Sequence, residues 1–329
     1  MKRTHDAERK MNPFTPIRAE SVITHGELRL IAEIRRWLGK ASPKPPFGIG
    51  DDCAVLPPAK HQQLITTDPV IFGQHFDDTV PPRVAGAKLL KRNLSDIAAM
   101  GGRPLAAVIS LALAPDTSIG WLRAFYLGLT ACARRHRVKI VGGDITQGPA
   151  GCFGAFLTLQ GEATGPRVVT RGGALPGDRI YVTGTLGGSF LGHHHNFTPR
   201  LAEGAWLARR KEVCAMMDIS DGLAKDLDAL TPDGLAPALT ASAIPVSAAA
   251  RRCSYETRQS PLYHALGDGE DYELLIVVRH RADQERFERS WRKRFPKVKL
   301  SLIGTFVPKD QMPAGALRLV DYRGYEHLR

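Results

Sequence analysis

The sequence predicts an α/β chain of two domains. Three observations carry that prediction. Apolar runs of strand length alternate with stretches whose apolar residues recur at helical spacing. Aspartates follow glycines or close the apolar runs, as at Asp51, Asp52, Asp68, Asp144 and Asp218, and strand ends are where α/β folds assemble sites. A Gly- and Pro-rich stretch, residues 166–177, breaks the pattern near the middle of the 329 residues, as a linker would. The expected division is residues 1–46 as an extension with one helix, 47–165 as an N-terminal domain and 166–329 as a C-terminal domain.

The elements follow in order. Residues 1–20 read as a polar lead-in, and Leu28, Ile31, Ile34 and Leu38 share one face of a helix over 27–38. The stretch Gly48-Ile49-Gly50-Asp51-Asp52 then forms a turn beside Cys53-Ala54-Val55-Leu56. Gln63-Leu64-Ile65-Thr66-Thr67-Asp68 reads as a strand ending in a carboxylate, and Pro69 blocks a helix there. Val84, Ala87, Leu90, Leu94, Ile97 and Met100 mark a helix that carries Asn93, Ser95 and Asp96 and stops at Gly101-Gly102. A strand is expected over 105–113, then a helix over 117–135 capped by Ser or Thr before Trp121. A short strand over 138–141 is expected to end at Gly142-Gly143-Asp144, and another covers 153–161. Beyond the linker come strands over 178–183 and 274–278, a helix near 202–210, a basic helix from 281, and a strand near 300–304. Asp218 and Asp221 lie three apart, a spacing that places both on one face of a helical turn; Ser220 or Asp221 as a simple helix cap is the other reading.

Composition narrows the function classes. Hydrophobic residues make up 43%, enough for a sizeable core. Apolar runs stay short of membrane-spanning length, and Met1-Lys2-Arg3-Thr4-His5-Asp6 leads into no signal-like apolar stretch. Five scattered cysteines, odd in number and without C-x-x-C, point to a reducing cytoplasm rather than to disulfides or structural zinc. The net charge of +12 suits a phosphorylated substrate, nucleic acid or anionic lipid. Arg286, Arg289 and Lys293 form a stripe that reads as a solvated helix face, and no aromatic-interleaved RNA-binding pattern accompanies it. Neither a nucleic-acid partner nor a membrane is expected.

Chemistry is expected at the acids. Asp51, Asp52, Asp68, Asp96, Asp144, Asp218 and Asp221 recur beside glycine or at strand ends in a basic chain. Each alone reads more simply as a turn or a cap. As a set they read as a metal–phosphate site, because carboxylates hold polyphosphate only through bridging cations, and Mg²⁺ prefers hard oxygen donors. Arg171 and the amides of Gly142 and Gly143 would add positive contacts. The chain lacks G-x-x-x-x-G-K-[ST], the protein-kinase signatures and a nucleophile elbow. Gly184-Thr185-Leu186-Gly187-Gly188 falls short of the dinucleotide fingerprint and reads as a turn. His193-His194-His195 reads as a solvated loop, since no acid or cysteine stands at ligand spacing.

Taken in order, these phrases resemble the thiamine-monophosphate kinase family of the aminoimidazole ribonucleotide synthetase-like superfamily. The resemblance runs from about residue 47 to 327 and rests on Gly48-Ile49-Gly50-Asp51-Asp52, Thr66-Thr67-Asp68, His75-Phe76, Asn93-Leu94-Ser95-Asp96, Gly142-Gly143-Asp144, Arg171, Asp218-Ile219-Ser220-Asp221-Gly222-Leu223 and Gly269-Glu270-Asp271-Tyr272-Glu273-Leu274. It implies ATP-dependent phosphorylation of thiamine monophosphate to thiamine diphosphate. It implies an α/β N-terminal ATP- and Mg²⁺-binding domain, whose mixed sheet pairs across a homodimer, and an α+β C-terminal domain. Several Mg²⁺ ions would be held by Asp52, Thr66, Thr67, Asp68, Asp96, Asp144, Asp218 and Asp221. Gly143, Asp144, Arg171 and Ser220 would contact ATP, and Tyr126 its base; His75, Glu270 and Tyr322 would face the thiamine phosphate. Asp96, Asp144 and Asp221 would carry the transfer itself.

The chain departs from the family pattern at Pro69-Val70-Ile71-Phe72-Gly73-Gln74, at Ile145-Thr146-Gln147 and at Tyr322, on the expected acceptor side. The alternative reading is therefore another ATP-dependent reaction of the superfamily with a different acceptor. Its selenium and hydrogenase-maturation branches use terminal cysteines, whereas no Cys precedes Cys53 and the chain ends Glu326-His327-Leu328-Arg329. An acceptor phosphate is already anionic, so direct in-line transfer needs no strong general base.

Overall fold

The computed structural model describes residues 11–45, 47–49, 53–322 and 324–325. They form two compact units. The first takes in the chain up to Ile97 together with Pro104–Glu162; the second takes in Ala98–Arg103 and the chain from Ala163 onward.

The first unit contains α1 (Glu27–Leu38), β1 (Gln63–Ile71), α2 (Pro82–Ala99), β2 (Gly102–Leu113), α3 (Ile119–His136), β3 (Lys139–Gln147) and β4 (Phe153–Ala163). Its sheet has the order β1-β4-β2-β3, with β1 antiparallel to β4 and β2 parallel to β3. The register Asp68↔Leu157 and Thr66↔Leu159 puts Thr66 and Asp68 on the face that buries Leu157 and Leu159. Ile65 pairs with Gln160 and Pro69 with Phe156, so these residues share the opposite face. Leu30, Ile34, Trp37 and Leu38 are the buried side of α1. Ser118 caps α3 by accepting from the Trp121 amide. Phe76, Trp121, Phe125 and Phe153 form an aromatic core, with Trp121 and Phe153 edge to face at 4.7 Å. Helices α2 and α3 touch through glycines: a Cβ on Gly86 would lie 2.0 Å from the Phe125 carbonyl oxygen, and one on Gly128 would lie 1.8 Å from that of Arg83. No larger residue permits that approach.

The second unit contains β5 (Arg179–Thr183), α4 (Leu201–Leu207), β6 (Val213–Asp218), α5 (Leu223–Leu230), β7 (Leu235–Leu239), α6 (Ala248–Thr257), α7 (Pro261–Gly267), β8 (Leu274–Val278), α8 (Gln284–Arg294) and β9 (Leu300–Pro308). Its sheet order is β6-β8-β5-β9-β7, and the registered pairs are antiparallel. Both faces are covered. Ile180, Val182, Leu275 and Val277 pack with Leu223 and Leu227 of α5, while Tyr181 and Ile276 pack with Phe287 and Trp291 of α8. Coverage on both sides explains why β8 is an unbroken apolar run, Leu-Leu-Ile-Val-Val, buried along its whole length.

This is the expected α/β architecture with two sheets. Three local expectations change. Strand β1 continues through Pro69, which an edge strand tolerates because that residue's missing N–H faces away from β4. Strand β3 runs on through Gly142, Gly143 and Asp144 instead of stopping before them. Asp218 ends β6 and Asp221 sits in a bend before α5, so the two do not share a helical turn. Strand β7 and helices α6 and α7 have no counterpart in the sequence reading. All five cysteines are free thiols. Among the described residues no helix is long and apolar enough to cross a membrane.

Candidate active site

In the first unit, β1 and α2 bring acids and hydroxyls together. The Thr66 hydroxyl donates to Asp96 Oδ2 at 2.5 Å, joining residues 30 apart in sequence. Asp68 Oδ1 accepts from Arg92 at 3.2 Å, and the same guanidinium donates to the Pro69 carbonyl at 2.8 Å. Thr67 points the other way, as strand alternation requires, and its hydroxyl donates to the Leu157 carbonyl at 3.1 Å. The structure thus gathers Thr66, Asp68 and Asp96 on one side of β1 and leaves Thr67 on the other.

Asp144 lies on β3 opposite Ser110. It lines an apolar cavity of about 640 Å³ together with Tyr126, Gly142, Gly143, Ile109, Ile140 and the α1 residues Leu28, Ile31 and Ile34. That volume and lining suit a nucleotide-sized ligand. Burial pushes the Tyr126 phenol well above its usual range, so it stays protonated. Strand β3 can lie against β2 at this point because residue 143 has no side chain: a Cβ there would sit 2.1 Å from the Ile109 carbonyl oxygen. His75 closes the turn after β1. Its Nδ1 accepts from the Ile71 amide at 3.1 Å, and its carbonyl accepts from the buried Lys88 ammonium at 2.8 Å. Asp52 lies outside the described residues.

In the second unit, Asp218 is buried at the end of β6. The bend Ser220–Asp221 is held by Asp226 of α5, whose Oδ2 accepts from both backbone amides at 2.9 and 3.0 Å. Burial, and then the charge of Asp218, push the Asp226 carboxyl up to about 7 against the pull of those amides. Asp221 pairs with Lys225 at 2.7 Å. The loop carrying Glu270 docks on the same bend, since the Glu270 amide donates to the Ser220 carbonyl at 2.7 Å. Glu270 and Tyr272 both adopt positive φ, 53° and 51°, which side-chain-bearing residues seldom do. The Tyr272 hydroxyl donates to Glu270 Oε1 at 3.0 Å, and its ring stacks on Phe197 at 3.9 Å, which hold the pair in place. Arg171 is exposed. Tyr322 packs against the core of this unit, 6.0 Å from the Tyr263 ring.

Several participants were not anticipated from sequence. Arg92 stands one helical turn before Asp96, and Lys225 and Asp226 about one turn after Asp221, and spacing alone gives no sign that their side chains meet Asp68, Asp221 and the Ser220–Asp221 bend respectively. Asp271 is fully buried and accepts from the Gly187 amide at 2.8 Å. Burial, and secondarily the charges of Glu273, Asp268 and Asp226, raise its carboxyl well above the ordinary range despite that amide. Glu273 is held by Arg200, Nε to Oε2 at 2.7 Å, and by the Thr183 hydroxyl at 2.5 Å.

Known proteins of this shape agree. Residues 50–165 match the family model of the AIR synthase related protein, N-terminal domain. A structure of Escherichia coli HypE, a hydrogenase maturation protein, superposes with a TM-score of 0.72 over 90% of this chain and 97% of that one, at 18% identity, a likeness of fold alone. The family-model match and the fold together define a protein of the AIR synthase-related class. Within it, the thiamine-monophosphate kinase of Rhodopirellula baltica is 35% identical over 248 residues, 72% of this chain and 77% of its own length. That of Salmonella typhimurium is 35% identical over 276 residues, 77% and 82% respectively. The crystal structure of the Stenotrophomonas maltophilia K279a kinase has a TM-score of 0.70 at 30% identity, covering 85% of this chain and 93% of that one. A structure of AaThiL complexed with AMPPCP and TMP has a TM-score of 0.69 at 28% identity, covering 92% and 97%. The chain belongs to the thiamine-monophosphate kinase family.

Proposed function

We propose that the chain transfers the γ-phosphoryl group of ATP to thiamine monophosphate by direct in-line displacement, giving thiamine diphosphate. The observation that carries this reading is the first unit's rim. There an apolar cavity of nucleotide size ends at Gly142-Gly143-Asp144, in a chain 35% identical to named thiamine-monophosphate kinases. In this assignment Tyr126 and Gly143 bound the nucleotide's apolar end. Asp144, Arg171 and Ser220 contact its phosphates, and His75, Glu270 and Tyr322 face the acceptor.

The donor set fits Mg²⁺. Thr66, Asp68, Asp96 and Asp144 in the first unit, and Asp218 and Asp221 in the second, offer hard oxygens only; Asp52 completes the proposed ligands, and Thr67, whose hydroxyl lies on the other face of β1, is left out of the set. Asp218 and Asp226 are buried like charges, a conflict that a divalent cation relieves. When bound, Mg²⁺ would neutralise the phosphate oxygens between which charge shifts during transfer. One or two of these carboxylates per ion would suffice to hold it. The chain's own residues do the positioning: Thr66 orients the Asp96 carboxylate, and Asp226 fixes the bend that bears Ser220 and Asp221. The acceptor is an anionic phosphate, so no general base is assigned.

The reading extends to a homodimer. The face of the first sheet opposite Thr66 exposes Ile65, Val108 and Phe156, with Ile65 77% accessible. A second copy of the same face is the natural cover for such a patch. Incubation with ATP, Mg²⁺ and thiamine monophosphate should yield thiamine diphosphate, and Asp96→Asn should abolish turnover with the fold intact. A chirally labelled γ-thiophosphate nucleotide should give inversion at phosphorus. Retention would reject the in-line step, and absence of product in the parent chain would reject the activity.

A further inference from the structure

A second cluster of ligating side chains lies in the second unit, where α6 meets α7. Cys253 and Thr257 come from α6, and His264 and Asp268 stand one turn apart at the end of α7. The donor atoms of Cys253, His264 and Asp268 lie within 4.8 Å of one another, and His264 is buried. Among the described residues no other trio of His, Cys, Asp or Glu meets that distance.

Both imidazole nitrogens of His264 have polar partners. The Thr257 hydroxyl has one hydrogen, which it donates to the Cys253 carbonyl at 3.0 Å. Its oxygen already accepts from the Gln259 amide at 3.2 Å. With that hydrogen so engaged, Nε2–H of His264 donates to the Thr257 oxygen across the 2.8 Å contact; the other tautomer, with Thr257 donating to Nε2, would turn Nδ1–H toward Asp268. A neutral ring protonated at Nε2 presents a bare lone pair at Nδ1. That nitrogen faces Asp268 Oδ1 at 2.8 Å and Oδ2 at 3.1 Å, both acceptors. Oδ2 is further fixed by the Gly188 amide at 2.7 Å. At 2.8 Å a proton fits on the line between Nδ1 and Oδ1, whereas a metal ion bonded to both would take a place off that line. The nearby thiol is what makes the metal a candidate, because it offers the ion a third donor. One sulfur, one imidazole nitrogen and one carboxylate oxygen are the mixed set that Zn²⁺ and similar borderline ions take.

We propose that Cys253, His264 through Nδ1, and Asp268 bind one Zn²⁺-class ion, with water in the remaining position. Thr257 holds the ring in the ligating tautomer, the role such outer partners play in metal sites. Binding replaces the Cys253 thiol proton, and any proton on Nδ1, with metal–ligand bonds. The protons pass to water and no electrons are exchanged. The ion would brace α6, α7 and the turn at Gly188 against one another. This stands independently of the phosphoryl-transfer reading.

The test uses the full chain, stripped with chelator and titrated with Zn²⁺ against a chromogenic chelator. One equivalent should be retained. Cys253→Ser, nearly isosteric, should lower the affinity by at least about tenfold, and Thr257→Ala by about 10- to 100-fold through loss of ring orientation. Thermal melts of both variants report whether the fold survives. Nitrogen-15 NMR of the parent chain should show His264 Nδ1 unprotonated and metal-bound when Zn²⁺ is present. Three results would each overturn the proposal: no stoichiometric retention, retention unchanged in Cys253→Ser (placing the ion elsewhere, as on His193–His195), or both His264 nitrogens still protonated with Zn²⁺ in excess.

Discussion

Adding a single methyl group at Gly143 should disable the nucleotide side of the site. A Cβ there would stand 2.1 Å from the Ile109 carbonyl oxygen, an unyielding backbone atom, where ordinary contact begins beyond 3.4 Å. Strand β3 must therefore withdraw from β2 by roughly 1 Å to clear the overlap. Overpacking of that kind costs about 1–3 kcal/mol, some 2–4 °C of melting temperature per kcal/mol for a domain of this size. Asp144 follows directly and moves with the strand, and displacement by ~1 Å can reduce turnover about 100-fold. The neighbour supplies the control. A Cβ on Gly142 would meet only the Val108 Cγ1 methyl, at 3.3 Å, which a small side-chain adjustment relieves. Gly143→Ala should thus lower kcat/KM for ATP about 10- to 100-fold and melt earlier, while Gly142→Ala stays within about 3-fold of the parent enzyme. Steady-state kinetics with varied ATP, beside a thermal melt, checks both. If the two variants behave alike, the close β2–β3 approach is not what positions Asp144.

Other perturbations separate structural from functional roles. Asp178 is fully buried; burial raises its carboxyl, but the His280 and Leu175 amides, the His280 ring and the Arg279 guanidinium outweigh that and hold it below the usual range. Its stabilisation is present above the unfolded carboxyl value of about 3.9 and is lost as pH falls through the lower folded value, so Asp178→Asn should cost about 3–5 kcal/mol at pH 7 and less at pH 3 by urea unfolding. Asp271 has the opposite sign. Its folded value is raised, so the folded state loses stability as pH climbs past about 3.9, and Asp271→Asn should be more stable than the parent by about 1–3 kcal/mol at pH 8, with the gain gone at pH 3. Arg200→Met leaves the buried Glu273 carboxylate without its cation and should cost about 3–5 kcal/mol, whereas Arg200→Met combined with Glu273→Met should recover much of that in the same unfolding assay.

Periodicity and motif together made the family and several elements legible in advance. Helix α1 and strand β8 appear at the bounds their apolar spacing indicated, but the buried side of α1 is Leu30, Ile34, Trp37 and Leu38, and Leu28, placed on that face by spacing, is exposed. Strand β7 and helices α6 and α7 were missed, since Leu-Ala-Pro-Ala-Leu and Ala-Ala-Ala-Arg-Arg-Cys-Ser-Tyr-Glu-Thr carry weak or mixed periods that their packing overrides. Arg92 and Asp226 were missed for a different reason: the direction in which a side chain turns is set by its partners across the fold, not by its neighbours in sequence.

The sequence by itself determined the α/β class and the family, because these depend on residue type and order. Only the tertiary structure decided that Thr67 faces away from Thr66 and Asp68, that Asp226 organises the Ser220–Asp221 bend, and that His264 meets Asp268 beside a thiol. Strand register and helix packing join residues far apart along the chain, and that packing decides which donors and acceptors meet.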